Sequence, residues 1–145
     1  MASRPYMMPA DRTKHLEFLQ NAITRMATNS FLLKGWTVTI AAALFALAAK
    51  DTNRRFAELA LFPSLTFWGL DAYYLRQERL FRRLYDELRK LSDEKYEKAD
   101  PFSMSTKKHV HEVASWFKTL WTPTVIGLHG VVVAAVITVI LVLLR

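Results

Sequence analysis

The 145 residues include no cysteine, which excludes disulfides, thiolate catalysis and every cysteine-based metal site. Catalytic signatures are also missing. There is no phosphate-binding loop, no GxSxG elbow, no HExxH helix and no kinase signature. The Arg–His spacing of HEPN nucleases is absent too, because neither Arg12 nor Arg25 is followed by a histidine four to six residues on. The chain is therefore expected to be a non-enzyme that carries no cofactor. The first thirty residues lack an apolar run, being interrupted by Arg4, Asp11, Arg12, Lys14, Glu17 and Arg25. No signal-peptide core is found there, and the first hydrophobic span is expected to act as its own insertion signal.

What is present falls into two contrasting materials. Hydrophobic residues make up 52 %, the formal net charge is +7, and a mean hydropathy of +0.08 averages long apolar runs with dense charge. A basic balance suits nucleic acid or anionic lipid. The charges sit beside the apolar runs, which favours a bilayer with anionic headgroups and makes nucleic acid the poorer partner.

The expected fold is all-α and integral to a membrane, as a single domain with three transmembrane helices. Residues 1–10 read as an irregular arm containing Pro5 and Pro9. Asp11 is placed to cap an amphipathic helix over 11–29, with Leu16, Leu19, Ile23 and Met26 at helical spacing. Residues 31–49 form the first span, about 28 Å long at 1.5 Å per residue. Residues 56–75 form the second, with Glu58 near one end, Asp71 near the other and Pro63 inside, where a kink is expected. Neither Gly nor Pro occurs between Gly69 and Pro101, so this helix is expected to run on to about residue 97, its 76–98 part outside the membrane. An interfacial helix over 106–121 is expected to place Val110, Val113, Phe117 and Leu120 on one face. Residues 124–144 are the clearest span.

Lysine and arginine set the expected orientation. Four precede residue 30, eleven lie in 76–121, three in 50–55 and one at the C-terminus. The positive-inside rule puts the N-terminus and 76–121 in the cytoplasm, which suits a bacterial inner membrane.

Within this frame Lys34, Asp71 and His129 stand out as ionisable residues at membrane depth, where each needs a partner. An antiparallel hairpin of the first two spans would bring Lys34 and Asp71 level. Either they form a structural ion pair, or one of them lines a polar path. His129, between Gly127 and Gly130, is either hydrogen-bonded to a neighbouring helix or functional. Gly130, Ala134 and Thr138 form a small-residue stripe suited to helix packing. Arg76, Arg79, Arg82 and Arg83 follow the second span, as lipid-headgroup ligands or as ordinary orienting charge. Tyr74, Phe81, Leu84, Leu88 and Leu91 belong to a seam with a 3.5-residue repeat, which either pairs subunits, recruits a cytoplasmic protein partner, or packs on 11–29 or 107–120. His109 and His111, two apart, do not share a helix face as zinc ligands do.

The segments NSFLLKGW (Asn29 to Trp36) and FWGLDAYYLRQERLFRRLYDELR (Phe67 to Arg89) resemble a group of small bacterial membrane proteins. In organisation the chain also resembles the multi-helix membrane effectors of antiphage systems, such as the SLATT group and the CRISPR-associated membrane accessory proteins. Those carry two spans where three are counted here. The resemblance implies a homo-oligomer that forms a pore or perturbs the inner membrane once triggered. A membrane anchor or scaffold recruiting a partner through the 76–98 helix is the alternative, as is a non-catalytic transmembrane subunit of a larger complex.

Overall fold

A computed structural model describes residues 9–51, 53–98 and 102–142. Among these the fold is all-α, in five helices: α1 (Pro9–Asp51), α2 (Arg54–Lys90), α3 (Asp93–Lys98), α4 (Trp116–Leu120) and α5 (Pro123–Val142), with a single 3-10 turn at Lys107–His109. The chain divides into two compact units, one of Gln77–Val113 with the residues up to Met26, the other of Ala27–Arg76 with those from Ala114 onward.

Several boundaries differ from expectation for local reasons. The arm over 1–10 lies outside the described residues except at its end, where Pro9 opens α1. Proline suits that position because its missing N–H would be unpaired there anyway, and Asp11 falls in the first turn, where the positive helix end favours a carboxylate. The amphipathic helix and the first span are one continuous α1. α2 runs through Pro63 unbroken but stops at Lys90 rather than near 97. There the Ser92 carbonyl accepts from the Lys95 and Tyr96 amides, at 3.0 and 2.9 Å, and starts α3 with Asp93 and Glu94 in its first turn. The expected interfacial helix is broken: Ser115 is extended, its hydroxyl accepts from the Lys118 amide, and only the five residues of α4 are helical.

In the first unit the core is the seam itself. Leu84 and Leu88 of α2 are buried with Leu19 of α1 and Tyr96 of α3, and Leu16, Phe81, Tyr85 and Leu91 pack around them. Of the three partners the sequence allows for the seam, this one is within the chain, on the amphipathic start of α1. Arg12 ties the cluster down: it reaches Asp93 at 2.8 Å and donates to the carbonyls of Leu88 and Arg89, the last carbonyls of α2. His15 is buried beside it. Its Nε2 lies 3.1 Å from the Ser103 carbonyl, which only accepts, so Nδ1 accepts from the Tyr96 hydroxyl at 2.8 Å. Phe102, at φ 60, turns its ring onto His15 and Phe18; a side chain in this left-handed region is held there by such contacts.

In the second unit most buried residues are small or polar, with Val125 and Val136 of α5 the apolar exceptions. Ser30, Thr37, Ala41 and Ala48 of α1 are buried, as are Ala57, Ala60, Ser64, Asp71 and Ala72 of α2. Small side chains allow close helix approach. The large apolar side chains of this unit face outward instead, with Phe31 75 % and Phe62 73 % exposed. By length and composition two helices are able to cross a membrane: the 11–50 stretch of α1, and α5.

Candidate functional site: a buried Lys–Asp–His–Ser cluster

The site begins with a carboxylate where water is absent. Asp71 of α2 is fully buried, and an ionised carboxylate in such a place must be met by donors. Two other helices supply them. Lys34 of α1 spans both oxygens, with Nζ 2.7 Å from Oδ1 and 2.6 Å from Oδ2. The Ser30 hydroxyl, one turn earlier on α1, donates to Oδ1 and accepts from Lys34 at 2.8 Å. His129 of α5 approaches Oδ2 at 3.0 Å through Nε2. Since the carboxylate only accepts, Nε2 carries the hydrogen, and Nδ1 is buried with no hydrogen-bond partner among the described residues.

Helix register places these groups. α1 and α2 are joined by two residues, so α2 returns along α1. Lys34 lies seventeen residues before the end of α1 and Asp71 seventeen after the start of α2. Both therefore sit about 26 Å from the connection at 1.5 Å per residue. The histidine is six residues into α5. Two indoles hold the neighbouring backbone: Trp68 donates to the Leu120 carbonyl at 3.0 Å and Trp116 to the Gly69 carbonyl at 2.9 Å. Trp68 and Trp121 meet edge to face at 5.8 Å. A Cβ at Gly69 would lie 3.4 Å from the Trp116 ring, an ordinary contact distance.

The structure thus brings Lys34, Asp71 and His129 together. Asp71 and His129 have no exposed surface, and the Lys34 side chain is 23 % exposed. Of the roles open to them, the one formed is the internal ion pair, extended by His129. The remaining singled-out residues lie elsewhere. Gly130 is half-buried, while Ala134 and Thr138 are exposed, and among the described residues Thr138 donates to the Ala134 carbonyl of its own helix. Arg76 donates to the Ala114 carbonyl at 3.2 Å. Arg82 pairs with Glu78 at 2.8 Å, and Arg79 is half-buried. Tyr74 meets Tyr73 at 5.5 Å rather than extending the seam core. Glu58 pairs with Arg54 at 2.7 Å, both partly exposed.

Ser30 was not anticipated from sequence, although its place four residues before Lys34 on one helix face was a usable signal. His15 was missed too, yet it stands four before Leu19 on the apolar face of α1. Among the described residues no three His, Asp or Glu side chains are grouped for a metal. Comparison with protein-family models, with curated proteins and with solved structures returned no match.

Proposed function

We propose that this is an integral membrane protein whose second unit crosses the bilayer three times and anchors the helical first unit on the cytoplasmic side for a protein partner. The observation that carries the reading is the inverted distribution of polarity in the second unit. Phe31, Leu32, Trp36, Phe62, Val131 and Leu141 are exposed, while Ser30, Thr37, Ser64, Asp71 and His129 are buried. In water so much exposed apolar surface marks a contact with something else; in lipid it is the expected arrangement. A helix from the core of a soluble protein would be mostly buried, but only 17 % of each apolar stretch is.

Two helices meet the length and composition measure, and the third crossing rests on a separate argument. A two-residue link forces α2 back beside α1, and the 34–71 pair removes the net charge that makes α2 look unsuitable. Orientation follows the eleven basic residues of 76–121, and a bacterial inner membrane suits it. The buried cluster then acts as a lock that fixes three helices against one another. Such a role needs no chemistry at the site. Alkaline carbonate extraction tests the membrane reading: the chain is expected to stay in the membrane pellet, and release into the supernatant overturns it.

A second reading, an oligomer that forms a pore or perturbs the membrane as antiphage effectors do, is favoured by the outward-facing Ala134 and Thr138. Any path would then run between subunits, away from Asp71 and His129. Native mass spectrometry in detergent separates the two: five or more copies favours the oligomeric effector, a monomer or dimer the anchor.

A further inference from the structure

We infer that the first unit holds a binding site for a small ligand carrying more than one phosphate group, formed by Arg83, Lys90 and Lys108. The inference does not depend on the membrane reading. α2 presents residues 83, 86, 87 and 90 at the spacing of one helix face. Opposite them the 107–109 turn and Glu112 complete an open cavity of about 380 Å³.

The charges around it sort unequally. Each acid has a basic neighbour: Asp86 lies 3.1 Å from Arg89, and Glu87 and Glu112 lie 2.9 and 3.1 Å from Nε2 and Nδ1 of the buried His109, the first of these outside hydrogen-bond geometry. His109, at 5 % exposure, thereby pins its turn to α2 and sets Lys108 across from it. Arg83, Lys90 and Lys108 are exposed and form no ion pair or hydrogen bond among the described residues. Three cations facing one concavity, whose acids have basic neighbours of their own, suit an anion with several charges.

Spacing narrows the ligand. Arg83 and Lys90 are two turns apart, roughly 10 Å along the axis. A single phosphate does not bridge that distance, but linked phosphates reach both while Lys108 closes from the other side. A smaller cavity of about 210 Å³ shares Glu87 and Lys108 and continues over Leu84, Leu88 and Leu91 to Ser103 and Ser105. It offers an apolar floor and hydroxyls to whatever part of the ligand bears the phosphates.

The same chemistry belongs to a free oligophosphate and to a lipid headgroup with two phosphates. Titration calorimetry of the full chain in nonionic detergent uses sodium pyrophosphate for the first. Nanodiscs of phosphatidylcholine with and without cardiolipin, read by thermal unfolding, serve for the second. Saturable pyrophosphate binding, or a cardiolipin-dependent stabilisation, is expected and identifies the source. Either signal should weaken at least tenfold, or vanish, in Arg83→Gln and Lys108→Gln, and persist in Lys14→Gln, a lysine of the same unit outside the cavity. These surface exchanges leave the unfolding temperature without ligand unchanged. No response to either probe at millimolar concentration, or a response equal in all three variants, overturns the proposal.

Discussion

At the scale of single residues, the two units solve the same problem of buried polarity in opposite ways. Asp71 is kept charged by donors from two other helices. Removing it leaves an ammonium and an imidazole without their acceptor, and breaking one side of a buried pair costs about 3–5 kcal/mol. Asp71→Ala is therefore expected to unfold far earlier in detergent than the parent chain. Lys34→Met with Asp71→Leu and His129→Leu, which removes all the polarity together, should regain most of the loss. A simple charge exchange, Lys34→Asp with Asp71→Lys, is expected to fail, because it sets an ammonium against His129. Recovery of normal unfolding by that exchange would mean that the histidine contact contributes little. His15, in contrast, is kept neutral. Burial lowers its pKa below the usual 6.5, against the opposing pull of the Ser103 carbonyl. The fold therefore prefers the uncharged ring. Its contribution is complete above about pH 6.5 and is lost as pH falls from there toward the lowered value. Hydrogen exchange of the α3 amides should accelerate over that window in the parent and respond less in His15→Gln.

At the scale of the elements, the seam is where sequence and structure meet most closely. Its 3.5-residue period correctly marks Leu84 and Leu88 as buried, but periodicity carries no information on which surface answers it. The answer, Leu19 and Tyr96, needs α3 to turn inward, and that turn depends on Ser92 starting a new helix in what reads as a continuous one. Leu19→Ala should cost about 2–5 kcal/mol as a buried cavity, visible as a lowered unfolding temperature. Its effect should be non-additive with Leu88→Ala, since the two share one cluster. The α4 region was misread for a related reason: apolar spacing over Val110, Val113, Phe117 and Leu120 is helical, yet the Ser115 hydroxyl caps a new start in the middle of it. The polar cluster, on the other hand, was legible residue by residue, because an ionisable side chain in an apolar run has few places to go. Its fourth member and the two indole-to-carbonyl bonds near it were not, since serine and tryptophan are under no such constraint.

At the scale of the whole molecule, the proposed topology places the link between α1 and α2 on one side of the membrane and the first unit on the other. Asn53→Cys is expected to react with an impermeant maleimide from outside intact cells, and Ser92→Cys only after lysis; the native chain, having no cysteine, supplies a silent background. Equal labelling of both positions would remove the three-crossing arrangement. The buried cluster also has a consequence in time. Lys34 meets Asp71 across 37 positions of sequence and Asp71 meets His129 across 58, and a chain is made at about 5–20 residues per second. The ammonium is thus synthesised roughly 2–7 seconds before the carboxylate that neutralises it, and the histidine later still. On the proposed membrane reading the emerging α1 waits at the translocation machinery during that interval or holds its lysine at the headgroups, so slowing of synthesis between residues 34 and 71 should harm this protein more than slowing anywhere after His129.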